Sequence, residues 1–138
     1  VAGLNPVAGL DFIMLTLQIF LYFILVVLNV LDGVSTWKVV RPKHLYRERN
    51  PVARWIFAKL GLLPGILVAE FLWISTITLV VLLLGSLPVW GYIVLALLFI
   101  GIVIFTWIVL NNFKNWRGIR SRELAQKHGS GKENAKHA

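Results

Sequence analysis

Apolar positions in this chain gather into three blocks separated by polar and basic segments. The blocks run from Phe12 to Leu31, from Ile66 to Leu84 and from Val89 to Leu110. Each is close to the roughly 20 residues that carry a helix across a bilayer core. Backbone amides in lipid must bond within their own segment, so each block predicts a transmembrane helix. The expected fold class is all-α: an integral membrane protein with three transmembrane helices. The first block has no basic residue before it and is too long for a signal's apolar core, so it is expected to persist as a span.

The polar residues inside and between the blocks add detail. Gln18, Tyr22, Asn29, Asp32 and Thr36 recur at helical spacing along the first block. A lipid-facing helix would not tolerate that stripe, which should therefore face other helices. Residues 37–49 read as a connector, with Pro42 disfavouring helix. Asn50-Pro51 then reads as a helix start, because Asn caps and Pro lacks only an N–H that the first turn does not use. Val52, Trp55, Ile56, Leu60 and Leu63 form one apolar stripe. Residues 51–60 are accordingly predicted to be a short interfacial amphipathic helix, ended by Gly61. Residues 1–112 make a single membrane domain. Residues 113–138 make a basic tail, amphipathic at first and disordered beyond Gly129.

Charge fixes an expected orientation. Only 14% of residues are charged, against about a quarter in soluble domains, yet the net charge is +8. Half of the basic residues, Lys38, Arg41, Lys43, Arg47, Arg49, Arg54 and Lys59, lie between the first and second blocks. The other half, Lys114, Arg117, Arg120, Arg122, Lys127, Lys132 and Lys136, follow the third. Three crossings place both groups on one face, and the positive-inside rule makes that face cytoplasmic. The chain is expected in the cell membrane, with its N-terminus outside. Lys38, Arg41, Lys43, Arg54, Lys59, Lys114, Arg117 and Arg120 become candidate contacts for anionic lipid headgroups. No nucleic-acid recognition motif accompanies the charge.

Candidate chemistry is sparse. There is no cysteine, which excludes thiolate metal sites, and the three histidines lie outside the blocks, so a haem held between transmembrane histidines is not expected. No cofactor is evident. Asp32, Thr36, Glu48, Asn50, Glu70, Asn111 and Asn112 should meet near the cytoplasmic mouth. Their oxygens suit a hard cation such as Mg²⁺ or Ca²⁺, although the basic connector opposes one. Glu70 stands out, since an intramembrane acid costs about 2.5–3.5 kcal/mol on insertion scales. No nucleophile–base pair is recognisable, so the sequence leans away from an enzyme.

Asp32 with Thr36 four residues on, then Glu48-Arg49-Asn50-Pro51, then Asn111 or Asn112 after two further spans, resembles the pattern of small multi-pass proteins in the family called domain of unknown function 5658. The resemblance covers about residues 15–112 and implies a shared architecture without an activity. Members often carry a basic residue in the span where this chain has Glu70. Two functional expectations remain. The first is a non-catalytic accessory or structural subunit of a larger membrane assembly, with other subunits or copies of itself as partners. Gly91, Ala96 and Gly101 offer close approach for such helices. The alternative is a stand-alone ion- or lipid-handling protein, a transporter or headgroup enzyme, using the Asp/Glu/Asn cluster. Reporter fusions at residues 1, 62, 86 and 138 are expected to read outside, inside, outside and inside. A cytoplasmic signal at position 86 would refute that topology.

Overall fold

The computed structural model describes residues 6–41 and 44–136, with side chains described for residues 7–41 and 44–128. Lys43, a candidate lipid contact, and Pro42 lie outside the described residues. The described chain is all-α: α1 (Pro6–Val40), a single 3-10 turn (Leu45–Arg47), α2 (Pro51–Leu60), α3 (Leu62–Leu84) and α4 (Pro88–Lys136). Three of these helices, α1, α3 and α4, are long and apolar enough to cross a membrane. The architecture is that of a multi-pass membrane protein.

α1 extends beyond its apolar block at both ends. It carries Asp32, Ser35 and Thr36 on helix and stops only at Val40, short of Pro42. Arg41 takes a positive φ of 53° to leave the helix. Beyond the connector, Asn50 begins α2 by accepting from the Val52 N–H at 3.0 Å and the Ala53 N–H at 3.4 Å. Gly61 alone separates α2 from α3. Its φ of 87° is a conformation that side chains disfavour, which explains glycine at this sharp corner. Val40, Phe57, Leu62 and Ile66 bury together there, with Leu45, Ala53 and Ile56 packed against them. The inward side of α2 is thus Ala53, Ile56 and Phe57. Val52, Trp55 and Leu60, counted with Ile56 in one stripe from the sequence, stay exposed.

α1 and α4 run in the same direction and pack along much of their length. Gly91 sits against Met14, and Gly101 against Leu25. These two small residues serve contacts inside the chain, whereas Ala96 remains exposed. Leu25, Val94 and Leu98 form the buried centre. α3 meets α1 less extensively and α4 hardly at all. The polar stripe of α1 faces inward. Gln18 is fully buried. Its Nε2 donates to the carbonyls of Gly85 and Gly91, both at 3.0 Å, and so holds both sides of the α3–α4 turn. Tyr22 shares a 2.7 Å hydrogen bond with Thr78 of α3.

α4 departs from expectation at its far end. The backbone stays helical to Lys136, through residues where the sequence composition suggests disorder. No proline interrupts residues 89–136, and extending an existing helix needs no new nucleus. Replacing Gln18 with Leu removes both bonds to the turn. It is expected to destabilise the helix bundle by about 1–2 kcal/mol, the upper range for interhelical hydrogen bonds in membranes. Reversible unfolding in mixed detergent micelles measures this, and an unchanged midpoint would refute it.

Candidate functional site

Because α3 and α4 hardly touch, a groove of about 850 Å³ lies between them, floored by α1. Its wall is apolar from Val81 and Val94 near the α3–α4 turn to Ile104 and Ile108. Trp73 and Phe105 reach across it with ring centroids 5.8 Å apart. Toward the basic end the lining becomes polar, with Asn29, Asp32, Thr36, Glu70, Asn111, Asn112 and Asn115 on its surface. Arg47, Glu48, Arg49 and Asn50 line the mouth.

Helix geometry brings the two acids level. Asp32 lies about 21 Å along α1 from Gln18 at a rise of 1.5 Å per residue. Glu70 lies about 22 Å along α3 from Gly85 by the same measure. Gly33 allows the approach, because a Cβ there would stand 3.1 Å from Glu70 Oε1 and 3.2 Å from Ile66. The Glu70 carboxyl is therefore turned toward α1. Its Oε2 is buried without a hydrogen-bond partner. Asp32 accepts a 3.3 Å bond from Asn112 Nδ2, which also donates to Ser35 Oγ at 3.2 Å. Ser35 Oγ in turn donates to the Asp32 carbonyl at 2.9 Å.

The structure divides the residues expected to meet. Asp32, Glu70 and Asn112 converge, and Thr36 and Asn111 line the groove beside them. Glu48 and Asn50 border the mouth but are engaged locally. Glu48 Oε1 accepts the Asn50 N–H at 2.8 Å while Asn50 caps α2. The Glu-x-Asn-Pro motif is thus a helix-starting device as well as part of the mouth. Among the described residues no three His, Cys, Asp or Glu side chains group to hold a metal ion. Nor does any basic residue form an ion pair with Asp32 or Glu70 among the described residues; Arg54 and Lys59 stay exposed on α2. The groove lining contains no histidine to act as base toward Thr36.

Two further amides belong to the site. Asn29 is 2% exposed, lines the groove, and has its Oδ1 unpartnered. It was visible in the polar stripe of α1. Asn115 follows Asn111 by one helical turn, a spacing that pointed to the same face. The basic candidates are partly occupied elsewhere. Lys38 Nζ lies 4.3 Å and the Arg120 guanidinium 5.5 Å from the Trp116 ring, and Arg41 pairs with Glu123 at 2.9 Å. Lys114 and Arg117 are exposed on α4.

No family model, curated protein or solved structure matches this chain. The site's own geometry therefore carries the functional argument.

Gly33→Ala should be a mild change, because its Cβ meets the movable end of the Glu70 side chain and crowds Ile66 by only a few tenths of an ångström. Gly33→Leu should push α3 off α1 at this level. Since the chain lacks cysteine, a pair introduced at positions 40 and 62, whose side chains bury together, is clean, and its cross-linking in the two variants reads the displacement. Equal cross-linking in both variants would refute the close approach.

Proposed function

We propose that this is a lipid-handling membrane protein that takes the chain of an amphiphile into the groove between α3 and α4. The observation that carries the reading is the groove itself: long, apolar along the helices apart from Thr76, whose hydroxyl is bonded to its own helix, and charged at one end only. That polarity profile suits a molecule with a hydrocarbon tail and a polar head. The basic end lies on the cytoplasmic side by the distribution of Lys and Arg. The head would then sit in the inner half of the bilayer, with exposed basic residues such as Arg54, Lys59, Lys114 and Arg117 near anionic headgroups. The likeness to the domain of unknown function 5658 family fits this architecture, and shared membership is part of the proposal.

A second reading, an accessory subunit of a larger assembly, is favoured by one observation. Beyond Ile66, α3 has no buried residue. A helix from another subunit could cover that face as readily as lipid does.

Native mass spectrometry after purification in mild detergent separates the two. An amphiphile retained at unit stoichiometry, and lost in Ala69→Phe, which fills the half-buried wall of the groove, is the expected result. Retention of a constant set of other membrane proteins, with no small molecule displaced by Ala69→Phe, would replace it with the subunit reading.

A further inference from the structure

We propose that the polar end of the groove binds the ammonium group of an amphiphilic amine, whose hydrocarbon chain lies along the groove. This rests on the lipid-handling reading and adds the class of headgroup.

The unfilled groups at this level are hydrogen-bond acceptors. Asn29 is almost fully buried on the groove wall, and its Oδ1 has no partner. Glu70 Oε2 is buried and unpartnered as well. Asp32 is better supplied, with a long bond from Asn112 and a second hydrogen bond from Thr36. Buried acceptors without donors are costly and uncommon, which points to a ligand that brings donors. The site also carries two carboxyl groups that no Lys, Arg or His pairs with among the described residues. An anionic head at this level would face both carboxyl groups, since Arg47 and Arg49 lie only at the mouth. An alcohol supplies a single donor and no charge. A primary ammonium supplies three donors and the missing positive charge, and hydrogen bonds between charged partners are the stronger kind. A bare metal ion would have to complete its ligand set from amide and hydroxyl oxygens, since no three His, Cys, Asp or Glu side chains group among the described residues. The apolar wall beyond Glu70, from Trp73 to Val81 on α3 and from Val94 to Ile108 on α4, accommodates the chain attached to the amine.

The test uses the full chain in phosphatidylcholine nanodiscs, titrated with brominated dodecylamine and brominated dodecanol. Trp73 and Trp107 line the groove, so a bromine on the chain quenches their fluorescence. Quenching that Ala69→Phe abolishes counts as groove binding. The amine is expected to bind about tenfold or more tighter than the alcohol. Asp32→Asn with Glu70→Gln should bring the amine down to the alcohol's affinity, and alcohol that still quenches in a manner abolished by Ala69→Phe reports an intact fold. Should that pair of changes prevent folding, Asn29→Leu removes the unpartnered acceptor alone and should still weaken the amine selectively. Equal groove binding of amine and alcohol, unaffected by any of these variants, would overturn the ammonium site and leave the lipid-handling reading standing. Absence of any quenching sensitive to Ala69→Phe would overturn both. Adding phosphatidylethanolamine to the nanodiscs distinguishes the source. Displacement of dodecylamine assigns the ammonium to a membrane lipid, and its retention assigns it to a free amphiphile; either result upholds the site.

Discussion

The bundle depends on one buried amide. Gln18 grips the α3–α4 turn from both sides, through the carbonyls of Gly85 and Gly91. Elsewhere α3 and α4 make little contact with each other, so the hairpin they form is held largely through α1. In lipid there is no hydrophobic force to press apolar helices together, and polar bonds and close packing decide which helices meet. The polar stripe of α1 supplies those bonds at successive levels: Gln18 at the turn, Tyr22 to Thr78, and Asp32 with Ser35 to Asn112. A hairpin fastened to a third helix, and only weakly to itself, leaves a groove between its two arms.

Much of this was legible in the sequence because polar residues are informative against an apolar background. The stripe of α1 pointed inward from its spacing alone, and Asn50-Pro51 marked the start of α2. The groove was not legible. α3 and α4 are apolar almost all round, so their sequences do not say which face meets protein, lipid or empty space. The role of Glu48 was hidden for a different reason. A carboxylate that bonds a backbone N–H two residues away looks the same in sequence as one that reaches for a distant ligand. The run of α4 to Lys136 was obscured by the glycines at 129 and 131, which lower helix propensity without forbidding a helix.

The pairing of Asp32 with Glu70 is hard to explain as a device for stability. A structural acid within a span is expected to meet a cation or several donors, since leaving either carboxyl underbonded is expensive. Here Glu70 packs against the backbone of Gly33 with one oxygen unpartnered, and Asn29 nearby is in the same condition. Hydrophobic replacements of similar volume would pack this level of the bundle at lower cost. On the proposed reading, the arrangement is a surface kept underbonded within a groove, where a ligand's donors complete what the protein leaves open.

The basic end is organised differently, and the contrast bears on how a ligand would reach the groove. Arg41 and Glu123 form an ion pair, but their side chains are 40% and 44% exposed, so the pair contributes about 0–1 kcal/mol at most. Trp116, faced by Lys38 and Arg120, adds a contact of similarly modest strength. Beyond Asn112, α4 is thus attached to the end of α1 by weak, largely solvent-exposed interactions. The groove between α3 and α4, by contrast, is limited by the buried bond at Gln18. A molecule entering from the side, between helices that scarcely touch, need break none of the buried hydrogen bonds. One entering from the basic end must pass Arg47 and Arg49 at the mouth. For a cationic head that route is electrostatically opposed, and lateral entry from the bilayer is the path of lower resistance.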